Sequence, residues 1–383
     1  MNDAIQNKRK SIFFVVNVDW FFISHRLPLA LHALKVGYDV YVLTSDTGRI
    51  KELVKYGIQI IIIPFKRSGT NIFHELKCIL LLRKYYCRYK PDIIHHVSLK
   101  AALLGSLAAK LTKYRNVINA ISGFGYNFTD GRNGIIQKII RVMINISFKN
   151  NFYFILQNND DIDMVDKMHL CETSHLILIK GSGVDLNEYV YTSPNKTDCV
   201  YLLFPARMLR DKGILEYIKA AKSIRTIVKG RAKFILAGDF DDENFASMKK
   251  DELLELLEDG YIEWIGYQKE MFDVYKSCDI VVLPSYREGL PKSLIEAGAV
   301  GRPVITTDVP GCKECVIDGY NGIIVPVKNI SDLAKAMLTL INNADLRLEY
   351  GQNSRILAEK EFSLDSVIRS TFNLYDRMLN LSI

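Results

Sequence analysis

Short apolar runs recur along this chain, and stretches with helical spacing separate them. The runs are Ser11–Val18, Val40–Thr44, Ile58–Ile63, Asp92–His95, Val117–Ile121, Phe152–Leu156 and Leu176–Ile179. After a break come Val200–Pro205, Lys233–Ala237, Ile262–Ile265, Ile280–Leu283, Pro303–Thr306 and Gly322–Val325. Runs of this length and apolarity read as buried strands. Helical patterns include Leu27–Val36, ended by Gly37, and Asn71–Lys90. The alternation predicts parallel, doubly wound α/β sheets. The break combines Gly181-Ser182-Gly183-Val184-Asp185 with Thr192-Ser193-Pro194-Asn195-Lys196, which is loop chemistry. The expected division is a first domain 1–182, a linker 183–199, a second domain 200–365 and a last helical segment 366–383.

A chain of 383 residues, 49% hydrophobic and 24% charged, is comfortable for two globular domains. No apolar, uncharged run reaches 18 residues, so no transmembrane helix is expected. Met1–Lys10 is polar and basic, and Ile12–Val18 is short and followed by Asp19, which does not read as a signal peptide. Seven scattered cysteines suit reduced thiols, and the cytoplasm is the expected compartment. Cys312 and Cys315 form a single C-x-x-C, a weak metal or redox signal. Charge divides unevenly: residues 1–150 hold 23 basic and 8 acidic side chains, +15, against −8 for the remainder. A basic half suggests an anionic partner, first a membrane surface or a lipid diphosphate. No zinc finger, aromatic RNA-binding signature or basic helix-turn-helix pattern supports nucleic acid.

Ligands of open α/β sheets bind beyond the carboxyl ends of strands, where helix N-termini suit phosphate. One such place is the stretch Leu283–Val304. A buried strand ends there, the chain turns through Glu288-Gly289-Leu290-Pro291, and a helix pattern carrying Glu296 follows. Carboxylates beside a phosphate site repel phosphate, so their sensible partners are sugar hydroxyls. That combination describes a nucleotide-sugar site. Glu288, seven residues and Glu296, within Arg-Glu-Gly-Leu-Pro, resembles the signature of retaining glycosyltransferases of family four. Their GT-B fold has two Rossmann-like domains facing across a cleft.

The resemblance implies a UDP-sugar donor and roles for particular residues. Arg207 and Lys212, in Pro-Ala-Arg-Met-Leu-Arg-Asp-Lys-Gly, would grip the donor diphosphate. Negative charge develops there as the sugar leaves, and fixed cations stabilise it. Glu288 would face the transferred sugar and Glu296 the ribose, with Gly289 and Leu290 at the turn and Gly266 and Tyr267 near the base. The last helix would cross back onto the first domain. No cofactor and no metal are expected. Of two acidic clusters, Asp160–Asp163 precedes a helix pattern, and Asp239-Phe240-Asp241-Asp242 reads as a solvated acidic loop, the competing metal candidate.

In the first domain the family often has a Gly-rich loop after the first strand. This chain has Asn17-Val18-Asp19-Trp20-Phe21-Phe22-Ile23-Ser24-His25-Arg26 instead. That segment resembles a subset of bacterial surface-polysaccharide transferases, with a polyprenyl-diphosphate-linked saccharide as acceptor. Acceptor candidates are Asn17, Asp19, His25, Arg26, His95, His96, Lys100, Gly123 and Tyr126. His25 and Arg26 are expected at a helix start, where an anion could bind. His95 and His96 are expected to split, one inward and one into the cleft. Many relatives carry a histidine near Gly123 and this chain has none, so no catalytic histidine is transferred. Asn71–Lys90 and Gly134–Asn150 mix apolar and basic residues, as membrane-surface helices or as sheet-covering helices with basic outer faces. Two other readings are a UDP-sugar 2-epimerase of similar architecture and a non-catalytic nucleotide-sugar-binding partner.

Overall fold

Two parallel sheets organise the chain in a computed structural model that describes residues 9–66, 71–123, 135–149, 151–194 and 199–380, with 135–141 described by their backbone. The first compact unit comprises residues up to Ile179 together with those from Ile368 onward, and the second runs from Lys180 to Val367.

The first unit's strands are β1 (Ser11–Val18), β2 (Asp39–Ser45), β3 (Gln59–Ile62), β4 (Ile93–Val97), β5 (Val117–Ile121), β6 (Tyr153–Leu156) and β7 (Leu176–Leu178). They lie in the order β3-β2-β1-β4-β5-β6-β7. Its helices are α1 (Asp19–His25), α2 (Leu27–Lys35), α3 (Ile50–Val54), α4 (Ile72–Tyr89), α5 (Leu99–Leu111), α6 (Ile135–Phe148) and α7 (Asn159–Lys167). The second unit has β8 (Val200–Pro205), β9 (Ala232–Ala237), β10 (Ile262–Trp264), β11 (Ile280–Leu283), β12 (Val304–Thr307) and β13 (Gly322–Val325), in the order β10-β9-β8-β11-β12-β13. Its helices are α8 (Ile214–Ser223), α9 (Arg225–Val228), α10 (Lys250–Leu257), α11 (Met271–Ser277), α12 (Lys292–Val300), α13 (Cys312–Cys315), α14 (Ile330–Asn342) and α15 (Ala344–Glu361). The helix α16 (Leu364–Asn380) begins in the second unit and continues into the first.

Strand order reverses direction between β1 and β4 in one sheet and between β8 and β11 in the other. These are topological switch points, where the loops leaving adjacent strands part and open a crevice. At the first, Asn17 stands at the end of β1, Asp19 opens α1 and Lys100 lies in the first turn of α5, and at the second the segments after β8 and β11 carry Arg207, Lys212 and Glu288.

The central strands are apolar because helices cover both faces. In β4 every residue is buried, the two histidines included. This differs from the expected split of His95 and His96. Alternation does send them to opposite faces, but both faces are core. His96 accepts from the Tyr86 hydroxyl (3.0 Å) and donates to Asn119 Oδ1 (2.8 Å), and a Cβ on Gly105 would lie 2.2 Å from its Nε2. Glycine at 105 makes the room that His96 fills. Burial pushes the His96 pKa down to about 4, so the ring is neutral. His95 lies 2.7 Å from the Tyr375 hydroxyl of α16, and burial with the nearby Arg26 charge holds it well below the ordinary range.

Segment 180–194 belongs to the second unit. Arg302, fully buried, donates to the Thr192 carbonyl (2.7 Å) and hydroxyl (2.6 Å) and to the Tyr275 carbonyl (2.9 Å). Burial lowers its pKa, and nearby carbonyls stand where a carboxylate would be expected.

Candidate active site

At the second unit's switch point the β8–α8 and β11–α12 loops are stitched together. Tyr286 N–H donates to the Asp211 carbonyl (2.8 Å), and so does the Ser285 hydroxyl (3.1 Å). Gly213, at φ +76°, caps the turn Arg210–Lys212, and a Cβ there would sit 2.1 Å from the Pro284 carbonyl oxygen. Only glycine permits that backbone and that approach.

The stitching brings Lys212 Nζ onto Glu288 Oε1, both largely buried. The other cations of the same loop are paired too: Arg207 with Asp241, and Arg210 with Glu252 at 2.5 Å and 2.6 Å. In the 239–242 cluster Asp239 and Asp242 are exposed, as a solvated loop would have them, but Asp241 departs from that reading: it is buried, and its carboxylate holds Arg207. Among the described residues no three His, Cys, Asp or Glu side chains converge as a metal site. Cys312 and Cys315 are buried free thiols, and burial with the nearby Glu288 charge pushes Cys312 up to about 12.

Glu296 lies on α12 and is 5% exposed. Its carboxylate accepts from the Tyr275 hydroxyl (3.2 Å) and pairs with Lys292 one turn earlier (3.1 Å). Burial and this carboxylate push the Tyr275 hydroxyl well above its ordinary pKa, so it stays a donor. Pro291, the N-cap of α12, supplies no side-chain cap to the first-turn N–H groups, whose partial positive charge follows directly on the turn Glu288–Leu290 in the chain. Leu290 is buried against Gly181. Gly266, at φ +69°, accepts from Gly238 N–H (2.8 Å), and Tyr267 beside it is exposed. The edge thus combines two cations, a helix N-terminus and two oriented carboxylates. Such a set can hold a diphosphate while its carboxylates accept hydrogen bonds from hydroxyls.

At the first unit's switch point, Asn17 Oδ1 accepts from the Ser98 hydroxyl (3.1 Å), joining the ends of β1 and β4. Asp19 is buried and accepts from the N–H groups of Trp20 (2.7 Å), Thr47 (2.9 Å) and Arg49 (3.0 Å), and from the Thr47 hydroxyl. Burial works to raise its pKa, and these hydrogen bonds outweigh it and hold the carboxylate low. Asp19 therefore fastens the β1 exit to the β2–α3 loop. His25 ends α1, stacked on Phe21 at 4.1 Å, where a helix start was expected. Arg26 is the N-cap of α2, but it is buried, and its guanidinium donates to the His25 carbonyl (3.0 Å). Lys100 pairs with Glu75 (2.7 Å). Gly123 takes φ +110°, and Tyr126 lies outside the described residues. Tyr275, which donates to Glu296, was not read as functional from the sequence, and Asp241, which holds Arg207, was read only as part of the competing metal candidate. Asp241 stood in a visible acidic cluster, whereas Tyr275 carried no signal.

Two family models match, one per unit: "Glycosyl transferase 4-like" over residues 11–158 and "Glycosyl transferases group 1" over residues 191–356. A Campylobacter jejuni N,N'-diacetylbacillosaminyl-diphospho-undecaprenol alpha-1,3-N-acetylgalactosaminyltransferase is 28% identical, covering 94% of this chain and 98% of its own. An Escherichia coli UDP-Gal:alpha-D-GlcNAc-diphosphoundecaprenol alpha-1,3-galactosyltransferase is 21% identical over 89% of this chain and 90% of its own. Among solved structures, a glycosyltransferase from Rickettsia africae superposes with a TM-score of 0.78 at 19% identity, covering 97% of this chain and 99% of that one, a likeness of fold. With a 4-like domain, then a group 1 domain, on two doubly wound sheets, the chain belongs to the GT-B glycosyltransferases of the family-four type.

Proposed function

We propose that this glycosyltransferase moves a sugar, preferably an N-acetylhexosamine, from a UDP-sugar to a polyprenyl-diphosphate-linked saccharide. The transfer retains anomeric configuration, uses no divalent metal and serves a bacterial surface polysaccharide such as an O antigen or capsule. The observation that carries the reading is the Lys212–Glu288 pair at the second switch point. It sets a cation for the leaving phosphate beside a carboxylate for the sugar. The relatives named above support the substrate classes, since both names specify a diphospho-undecaprenol acceptor and one specifies UDP-Gal.

The test is UDP release across a panel of UDP-sugars and lipid-diphosphate acceptors, with mass spectrometry of the product. Release should require acceptor, whereas a 2-epimerase would convert the donor without one and a binding partner would do neither. In the same assay Glu296→Gln should mainly raise the donor KM and Glu288→Gln mainly lower kcat. A charged hydrogen bond is worth about 1.5–3 kcal/mol, or roughly 10- to 150-fold. Parental kinetics in both folded variants would remove the assignment.

A lipid-borne acceptor places the reaction at a bilayer, on this reading the inner face of the plasma membrane. No helix among the described residues is long and apolar enough to cross one. The contact we propose is α4. Cys78, Leu82 and Tyr86 bury one face, while the outward face exposes Ile72 (79%), Phe73 (85%), Leu76 and Leu80, followed by Arg83, Lys84 and Arg88. An apolar stripe continued by cations fits an anionic surface, with each cation contributing about 1 kcal/mol within a Debye length. On α6, Val142, Met143 and Ile146 are exposed in the same manner. Co-sedimentation with liposomes should need anionic lipid, weaken with salt and fall in Phe73→Asp. Equal binding to neutral vesicles would reject the electrostatic account.

A further inference from the structure

We infer that Asp241 positions the Arg207 guanidinium for the donor diphosphate, a role resting on the donor reading of Arg207 above. The two side chains leave neighbouring strands. β8 and β9 pair directly, Pro205 opposite Ala237, and Arg207 and Asp241 stand shortly beyond those two residues. Arg207 Nη1 donates to Asp241 Oδ2. The partners differ in exposure: the arginine side chain is 42% exposed and the aspartate 6%. A guanidinium has five N–H donors, so this bond leaves others for phosphate oxygens.

Asp241 is itself fixed. Its N–H donates to the Ser247 hydroxyl (3.1 Å), and its carbonyl accepts from Asn244 N–H (2.8 Å). The whole loop is laced to the β8–α8 loop. Met208 N–H donates to the Asp239 carbonyl (2.9 Å), Arg210 N–H to the Ala246 carbonyl (2.8 Å) and Met248 N–H to the Met208 carbonyl (2.9 Å). Gly238 lets the strands' exits meet, since a Cβ there would stand 2.0 Å from the Ala206 carbonyl oxygen. A mobile, solvent-facing acidic turn requires none of this lacing. A carboxylate so held stays in place when the diphosphate arrives, and fixes a long side chain that would otherwise sample many rotamers. The opposite role, an internal anion that the donor must displace, would make removal of Asp241 tighten donor binding.

The test is a double-mutant cycle on kcat and donor KM with Asp241→Ala, Asp241→Asn, Arg207→Ala and the combinations, each checked by circular dichroism. Asp241→Ala should lower kcat/KM by on the order of 10- to 100-fold. Asp241→Asn, isosteric and still an acceptor, should fold as the parent and recover part of that loss. In the Arg207→Ala background neither change at 241 should lower the rate further, because the positioning route through Arg207 is gone, and Asp241→Ala should if anything raise it by removing an unpaired carboxylate from the diphosphate site. Parental rates in both Asp241 variants, a lowered donor KM, or an equal loss in the Arg207→Ala background would each overturn the inference. A parental rate in Arg207→Ala itself would remove the donor reading of Arg207 and this inference with it.

Discussion

Replacing Arg207 and Lys212 together by alanine should slow transfer by on the order of 10² to 10⁴. Breaking a sugar–diphosphate bond leaves charge on the β-phosphate, and a fixed cation contributes about 1.5–3 kcal/mol to stabilising it. Two such contributions total about 3–6 kcal/mol, which corresponds to that range of rate. The upper end is favoured by what the substitution leaves behind. Asp241 and Glu288 are the present partners of the two cations. Without them, two uncompensated carboxylates face an incoming dianion. The stitching of the two loops runs through backbone groups of Asp211 and Tyr286 and is untouched, so the double variant should still fold, with its unfolding midpoint lowered by the two largely buried carboxylates left unpaired. Acceptor-dependent UDP release at saturating donor measures the effect, and a folded double variant within about ten-fold of the parent would dismiss these cations. Activity should also survive EDTA. Loss in EDTA, restored by magnesium or manganese, would reassign Asp239, Asp241 and Asp242 as ligands.

Gly311→Ala should damage the site from outside it. Gly311 takes φ +81° as the N-cap of α13, and a Cβ there would lie 2.3 Å from the Gly289 carbonyl oxygen and 2.7 Å from that of Glu288. Both are backbone atoms, so no rotamer relieves the overlap. A positive φ with ψ −46° is a backbone that L-residues rarely adopt, at a cost on the order of 1–3 kcal/mol, and relief of the overlap moves the Glu288–Gly289 turn by about an ångström. A shift of that size can cost on the order of 10² in rate. Gly319→Ala is the control, because it too has a positive φ, +71°, that strains an L-residue, but its nearest neighbour, the Tyr350 hydroxyl, is 4.0 Å away. Kinetic damage confined to Gly311→Ala, with both melting temperatures lowered, is the expected pattern. Equal kinetics in the two variants would show that the close approach does not govern Glu288.

Most of the framework was readable before any coordinates because the strands are buried on both faces. Ile280–Leu283 and Val304–Thr307 are continuous apolar or β-branched runs, and turn residues bound them. α1 was missed for a physical reason. Asp-Trp-Phe-Phe-Ile-Ser-His has no clear polar face, and its N-cap, Val18, has no side-chain acceptor. The Glu288 and Glu296 pair was legible as a local motif. Its supports were not, since Tyr275, Asp241 and Gly311 reach the site only through packing between loops and helices far apart in sequence. The same limit applied to His95. Period-two alternation says which face a residue takes, but that α16 would supply Tyr375 against His95 is long-range information. Arg302, between Gly301 and Pro303, carried no sign that its charge would be enclosed by carbonyls.

The path of α16 has a consequence for how the protein comes off the ribosome. The first unit is encoded in two pieces, with residues 180–367 between them. Phe372 and Tyr375 close its core against His32, Tyr38 and His95. Translation at about 5–20 residues per second puts roughly 10 to 40 seconds between Ile179 and Ile368. Throughout that interval the nascent first unit has an uncovered seam beside Phe14 and His95, while the second unit emerges and can fold as one continuous segment. The N-terminal half of the gene therefore finishes folding last, and a ribosome that stalls before α16 releases a product whose second sheet is complete and whose first is open to aggregation and proteolysis.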